Sequence, residues 1–183
     1  MDLYLVRHGE AAASWAQAPD PGLSELGHEQ ARAAARILHP RLATRAVELI
    51  SSPLSRALET AAPLAAELGL AVRVDEAFRE IQAPVALAGR QAWLRQFMQQ
   101  RWDEQPESLH LWRDQATQAL LALRSPAVVF THFLVINAVV GRIQGAATTL
   151  CCWPDNGSIT HLRRGDGGLE LVELGAQMRT VIN

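Results

Sequence analysis

Lysine is absent from this chain: all 17 basic residues are arginine. That excludes Schiff-base chemistry on a lysine and the lysine of a phosphate-binding P-loop. Arginine can still grip a phosphate through its planar, bidentate fork. Cysteine is scarce, with only Cys151 and Cys152, adjacent in sequence. Such a pair forms neither a disulfide framework nor a zinc site. No apolar run reaches the roughly 18 residues of a membrane span. No basic stretch leads into a long apolar one at the N-terminus, so no signal peptide is expected and cytoplasmic residence is the expectation. Charge of either sign is not in excess. The net charge is −2 and the arginines are scattered, which gives no support for nucleic acid or an anionic membrane as partner. Repeats, low-complexity tracts and linker-like segments are missing too. With 183 residues, the expectation is one domain over 1–183 with a sizeable core.

What is present alternates. Leu3–Val6 is an unbroken apolar run of the buried-strand kind. Ser24 precedes a helical pattern and reads as its N-cap. Ala46–Ser51 reads as a second strand. Ser52-Pro53 reads as a helix start, with Ser as cap and Pro in the first turn, and Gly69 fits that helix's C-terminal end. Ala71–Val74 predicts a short strand and residues 85–104 a helix, followed by another helix after Pro106. Ala127–Thr131 predicts a buried strand, Phe133–Gly141 a helix, and Gly157–Leu162 with Leu169–Leu174 a closing hairpin. This order predicts an α/β fold: a three-layer α/β/α sandwich with a largely parallel sheet and one antiparallel edge strand. Residues 76–115, rich in Trp and Gln, are a candidate small lid. Trp93, Trp102 and Trp112 read as core, and His28, His39, His110 and His161 as structural or surface residues.

Chemistry-bearing residues gather where strands should end or helices begin. Arg7 and His8 follow the first strand, Arg56 opens the helix after the second, Glu80 follows the third, and His132 follows the strand at 127–131. In open α/β sheets, ligands bind outside the carboxyl ends of the strands. Two arginines, two histidines and a carboxyl group suit a phosphate monoester. Arginines neutralise phosphoryl oxygens, an imidazole can attack phosphorus, and a carboxylic acid can protonate the leaving alkoxide. Glu76 is an alternative carboxyl group.

Arg7-His8-Gly9-Glu10, Gly22-Leu23-Ser24-Glu25-Leu26-Gly27, Ser51-Ser52-Pro53-Leu54-Ser55-Arg56-Ala57 and Thr131-His132 occur in that order. Together they resemble the histidine phosphatase superfamily, with its phosphoglycerate mutase-like fold. The resemblance implies that His8 is the phosphorylated nucleophile, that Arg7, Arg56 and His132 bind the phosphoryl group, and that Glu80 donates the proton. It also implies a phosphate contact at Ser14. It implies no metal and no cofactor, and a phosphorylated small molecule or phosphoprotein as substrate. His8 must be neutral to attack, so activity should fall at low pH. Departures from the family pattern are Ala11 in place of Ser or Thr, Phe133 in place of glycine, and Gln82-Ala83-Pro84-Val85 in place of a Trp-Glu-Gly pattern. Substrate-side contacts therefore do not carry over. A phosphatase is the preferred reading. A mutase, a phosphatase of phosphohistidine proteins and a non-catalytic phospho-ligand binder are the alternatives.

Overall fold

The alternation of apolar side chains along the strands builds the core on both faces of one sheet. In a computed structural model of the chain, which describes residues 1–13, 18–42 and 45–178, Leu3 and Leu5 face one side while Tyr4 and Val6 face the other. They lie on β1 (Asp2–Arg7). Chain order continues with α1 (Glu25–Leu42), β2 (Glu48–Ser51), α2 (Ser55–Leu68), β3 (Val72–Val74), α3 (Arg90–Phe97), α4 (Glu107–Ala122), β4 (Ala127–Thr131), α5 (Phe133–Gln144), β5 (Ile159–Gly165) and β6 (Gly168–Glu173). The sheet order is β3-β2-β4-β1-β5-β6. Strands β1 to β4 pair in parallel, and β5 pairs antiparallel with both β1 and β6. The predicted α/β/α sandwich is therefore present, with the β5–β6 hairpin as its antiparallel edge.

Helices α1 and α2 cover the Tyr4/Val6 face through Ala34, Leu38, Ala57, Ala61 and Leu64. Helices α4 and α5 cover the Leu3/Leu5 face through Ala116, Leu120, Val135 and Val139. A third cluster, built on Ile81, Phe97, Trp102 and Leu134, roots α3 and its flanks against α5.

Two elements depart from the sequence expectation. Helix α2 starts at Ser55, so Ser52 is not its cap and Pro53 is not in its first turn. Asp20 does the capping instead: its carboxylate accepts from the Ser55 N–H at 2.9 Å and from the Ser55 hydroxyl at 2.7 Å. The helix expected over 85–104 is reduced to α3, flanked by short 3₁₀ turns at Leu87–Gly89 and Trp102–Glu104. The Trp102 N–H donates to Ala147 O at 2.9 Å, and the Gln100 carbonyl accepts from the Thr149 N–H at 3.1 Å. Tertiary partners thus take backbone groups that a longer helix would have used.

Candidate active site

Register places the site. Arg7 lies opposite Thr131 in the β1–β4 ladder, and Ser51 lies opposite Phe130 in the β2–β4 ladder. The residues just past those positions are His8, His132 and Ser52, so three strands deliver them to one edge. The ladder runs one step further, with the His8 N–H on Thr131 O and the Ser52 N–H on Phe130 O, both at 2.9 Å.

His8 is buried and held on both sides. Its Nδ1 lies 2.6 Å from the carbonyl oxygen of Gly9, and Arg56 Nε donates to its Nε2 at 3.1 Å. A carbonyl can only accept and a guanidinium can only donate, so Nδ1 carries the proton and Nε2 the lone pair. Burial, reinforced by the Arg56 and Arg7 charges, pulls the His8 pKa down to about 3. The ring is therefore neutral at ordinary pH, with the lone pair of Nε2 facing a cation. Asn156 Nδ2 donates to His8 O at 3.1 Å, and the Gly9 N–H donates to Thr60 Oγ1 at 3.0 Å, which fix the loop backbone.

His132 lies behind His8, with ring centroids 5.2 Å apart. It is fully buried and its pKa is driven well below the ordinary imidazole value, first by desolvation and then by His8, Arg56 and Arg7. Its Nε2 lies 2.7 Å from Ser52 Oγ, and Nδ1 has no hydrogen-bond partner. Ser52 Oγ also accepts from the Leu54 N–H at 3.3 Å.

Both arginines reach the site with buried nitrogens unbonded, Arg7 Nε and Arg56 Nη1, the latter 4.0 Å from Asp20. Arg7 Nη1 donates to Pro154 O at 2.8 Å, which fixes its guanidinium beside the cavity. Desolvation lowers both arginine pKa values, yet a guanidinium stays charged. Unpartnered buried donors on two cations define a place for an anion.

Glu80 is half-buried beside the N-terminus of α5. Its carboxylate accepts from the Ile81 N–H at 3.0 Å and from the Leu134 N–H at 3.4 Å. Desolvation raises its pKa, against the opposing pull of those N–H groups, Arg56 and Arg7. Glu76, the alternative carboxyl, is 71% exposed and paired with Arg79 at 3.2 Å, away from the cavity. Arg7, His8, Arg56 and Glu80 share the wall of one cavity of about 600 Å³. Ser14 lies outside the described residues. Among the described residues, no three His, Cys, Asp or Glu side chains cluster as metal ligands, and no helix is long and apolar enough to cross a membrane.

Sequence reasoning missed Ser52, Asp20 and Thr60. Ser52-Pro53 reads as a helix cap because that dipeptide commonly is one. Only the strand register reveals that Ser52 instead faces His132. Asp20 reads as part of a Pro-rich loop, and nothing in its neighbours announces a distant capping partner.

A parallel sheet that brings Arg7 and His8 from a strand end and Arg56 from a helix start to the wall of one cavity, with His132 buried behind His8, defines a class: α/β proteins with a site for an anionic group. The family is narrower. The histidine phosphatase superfamily (branch 1) matches residues 3–177, and the chain belongs to it. Over 82 residues it is 43% identical to glucosyl-3-phosphoglycerate phosphatase of Mycobacterium tuberculosis, a match covering 43% of this chain and 35% of that protein. The match thus spans about a third of the curated relative's length. The native structure of a mycobacterial glucosyl-3-phosphoglycerate phosphatase is 26% identical, with a TM-score of 0.72 over 97% of this chain and 99% of that one. Phosphoserine phosphatase of Entamoeba histolytica, in complex with 3-phosphoglyceric acid, shares the fold at a TM-score of 0.73 and 21% identity, over 97% of this chain and 98% of that one.

Proposed function

We propose that this chain is a metal-independent phosphatase that hydrolyses phosphate monoesters through a phosphohistidine at His8. The observation that carries the reading is the state of His8. It is neutral, its proton is committed to Gly9 O, and its Nε2 lone pair points at a cation whose neighbouring nitrogens lack partners. A phosphoryl group bound there by Arg7 and Arg56 would take the place that Nε2 now faces, in line for attack.

In the first step Nε2 forms a bond to phosphorus and the ester P–O bond breaks. The leaving oxygen takes the proton from the Glu80 carboxyl, which burial keeps protonated above the ordinary carboxylate range. In the second step Glu80, now a carboxylate, takes a proton from water. That water oxygen bonds to phosphorus as the P–N bond breaks, which returns neutral His8 and inorganic phosphate. His132 stabilises the phosphoryl oxygens through Nδ1–H. Ser52 positions it in this reading: the Ser52 hydroxyl donates a hydrogen bond to Nε2, which keeps the ring proton on Nδ1. The N-terminus of α5 adds a favourable partial charge beside the developing anion. Residues 76–115 contribute Glu80, Leu94 and Met98 to the cavity wall and act as its partial lid. Hydrolysis is favoured over mutase chemistry because the relatives it resembles are named as phosphatases.

The test is turnover of an aryl phosphate with a chelator present, in the native chain and in His8→Ala. Turnover that persists with chelator and is lost in the variant is expected, together with an acid-labile, base-stable phosphoryl adduct on the native protein. Full turnover by His8→Ala would overturn the assignment. Tight vanadate binding with no hydrolysis of any ester would make the chain a phospho-ligand binder instead.

A further inference from the structure

We infer that the alcohol carried by the substrate is apolar and of about the size of an aromatic ring, not an acidic one. This rests on the phosphatase reading of the same site. The cavity has two ends. Arg7, His8, Arg56 and Glu80 form the phosphate end. Leu94 from α3 and Met98 just past its end, Phe133 and Leu134 from the first turn of α5, Trp153 and Met178 form the other.

Phe133 is central to that second end. Its ring lies 5.7 Å from that of Trp153, tilted by 58°, and the Arg7 guanidinium carbon lies 5.2 Å from its centroid. The aromatic wall therefore begins where the phosphate clamp stops. Among the described lining residues, both cations belong to the clamp, and the remaining charges are the carboxylates of Glu10 and Glu80. An acidic leaving group would place its charge among apolar side chains, near like charge and with no further cation among the described lining residues to pair with it. An apolar group would instead displace water from surfaces that bind water poorly.

A smaller cavity of about 280 Å³ on the other side of Glu80 is lined by Arg79 and Arg90. It is where an acidic leaving group could be held. It shares only Glu80 with the phosphate end, and its Arg79 already pairs with Glu76 at 3.2 Å. The larger cavity holds all of Arg7, His8, Arg56 and Glu80, so the leaving group belongs there.

Two primary alkyl phosphates separate the cases: 2-phenylethyl phosphate and 3-phosphoglycerate, assayed with the native chain and with Met98→Arg. The native chain is expected to prefer 2-phenylethyl phosphate by about ten-fold or more in kcat/KM, in line with what one buried apolar group contributes to discrimination. Met98→Arg is expected to narrow or reverse that ratio. A native preference for 3-phosphoglycerate, or none, would overturn the inference and assign the leaving group to the Arg79/Arg90 cavity, with the phosphatase reading intact. If neither ester turns over, calorimetry on His8→Ala decides. Tighter binding of 2-phenylethyl phosphate keeps the inference while the catalytic reading falls, and equal or absent binding overturns the inference.

Discussion

Glu80 and His8 set opposite ends of the pH profile. Glu80 must be protonated to donate, and burial raises its pKa, so the alkaline limb of kcat/KM should lie above the ordinary carboxylate range. Glu80→Gln should lower kcat by about 10²–10⁴-fold and abolish that limb. His8 must be unprotonated to attack. Its pKa is pulled down to about 3, so the rate should hold through pH 5 instead of failing near the ordinary imidazole value. A pH–rate profile of native and Glu80→Gln chains checks both limbs. Ser52 is tested separately. Ser52→Ala should cut kcat/KM by about ten-fold, the worth of one hydrogen bond, while Ser52→Thr restores it. The ¹⁵N shifts of His132 should show the Nδ1–H tautomer in the native chain and a mixture in Ser52→Ala. Unchanged shifts would remove Ser52 from the mechanism.

At the scale of elements, the His8 loop depends on a backbone-to-backbone contact between the residues just after β1 and the first turn of α1. A Cβ on Gly27 would lie 2.1 Å from Glu10 O, and one on Gly9 would lie 2.4 Å from Gly27 O. The first turn of α1 is itself tied to that loop. Ser24 Oγ accepts from the Gly27 N–H at 3.0 Å, as its reading as N-cap predicts, and donates to Glu10 Oε1 at 2.7 Å. Gly27→Ala should therefore push the His8 loop away from Arg56, at a cost of about 1–3 kcal/mol in stability from overpacking. Activity should fall further than stability. Denaturant melts and kcat/KM measured on the same preparation would show this, and an unchanged kcat/KM would mean the loop absorbs the displacement. Elements with strong local signals were legible in the sequence. Strand β4 is buried throughout and appears over the predicted Ala127–Thr131, and Gly69 ends α2 with φ +64°. Residues 85–104 were not legible, because the partners that stop the helix, Ala147 and Thr149, are remote in sequence.

For the whole molecule, the buried site makes folding sensitive to protons and to anions. His8 and His132 are neutral when folded, whereas in the unfolded chain they bind protons below their ordinary value near pH 6.5. The unfolded state then binds more protons, so stability is lost as pH falls through 6.5, and for His8 the loss continues to about pH 3. Glu80 acts in the opposite sense between its ordinary value and its raised one, offsetting one of the two imidazoles there. As the unfolded imidazoles become fully protonated below pH 6, the slope should approach about 1.4 kcal/mol per pH unit, the value for one proton. Unfolding at a series of pH values, with His132→Asn as the flattened control, measures it. Anions act the other way. Vanadate at 100 times its Kd should stabilise by about 2.7 kcal/mol and raise Tm by roughly 5–10 °C. No shift would mean that the unbonded nitrogens of Arg7 and Arg56 do not form an anion site.

The sequence alone determined the sandwich, because apolar runs alternating with capped amphipathic helices have few other ways to bury both faces of a sheet. It also named Arg7, His8, Arg56, Glu80 and His132 as candidates, since each stands at a strand end or helix start that local pattern reveals. Tertiary structure decided what local pattern cannot carry. Strand register gave Ser52 to His132 instead of to a helix. Packing against α5, where the Leu134 N–H donates to its carboxylate, gave Glu80, and not exposed Glu76, a place in the cavity wall. The Gly9 carbonyl and the Arg56 guanidinium together chose the nitrogen on which His8 keeps its proton. Each of these depends on groups brought together from distant parts of the chain, and a pKa or a tautomer is a property of that neighbourhood and not of the residue.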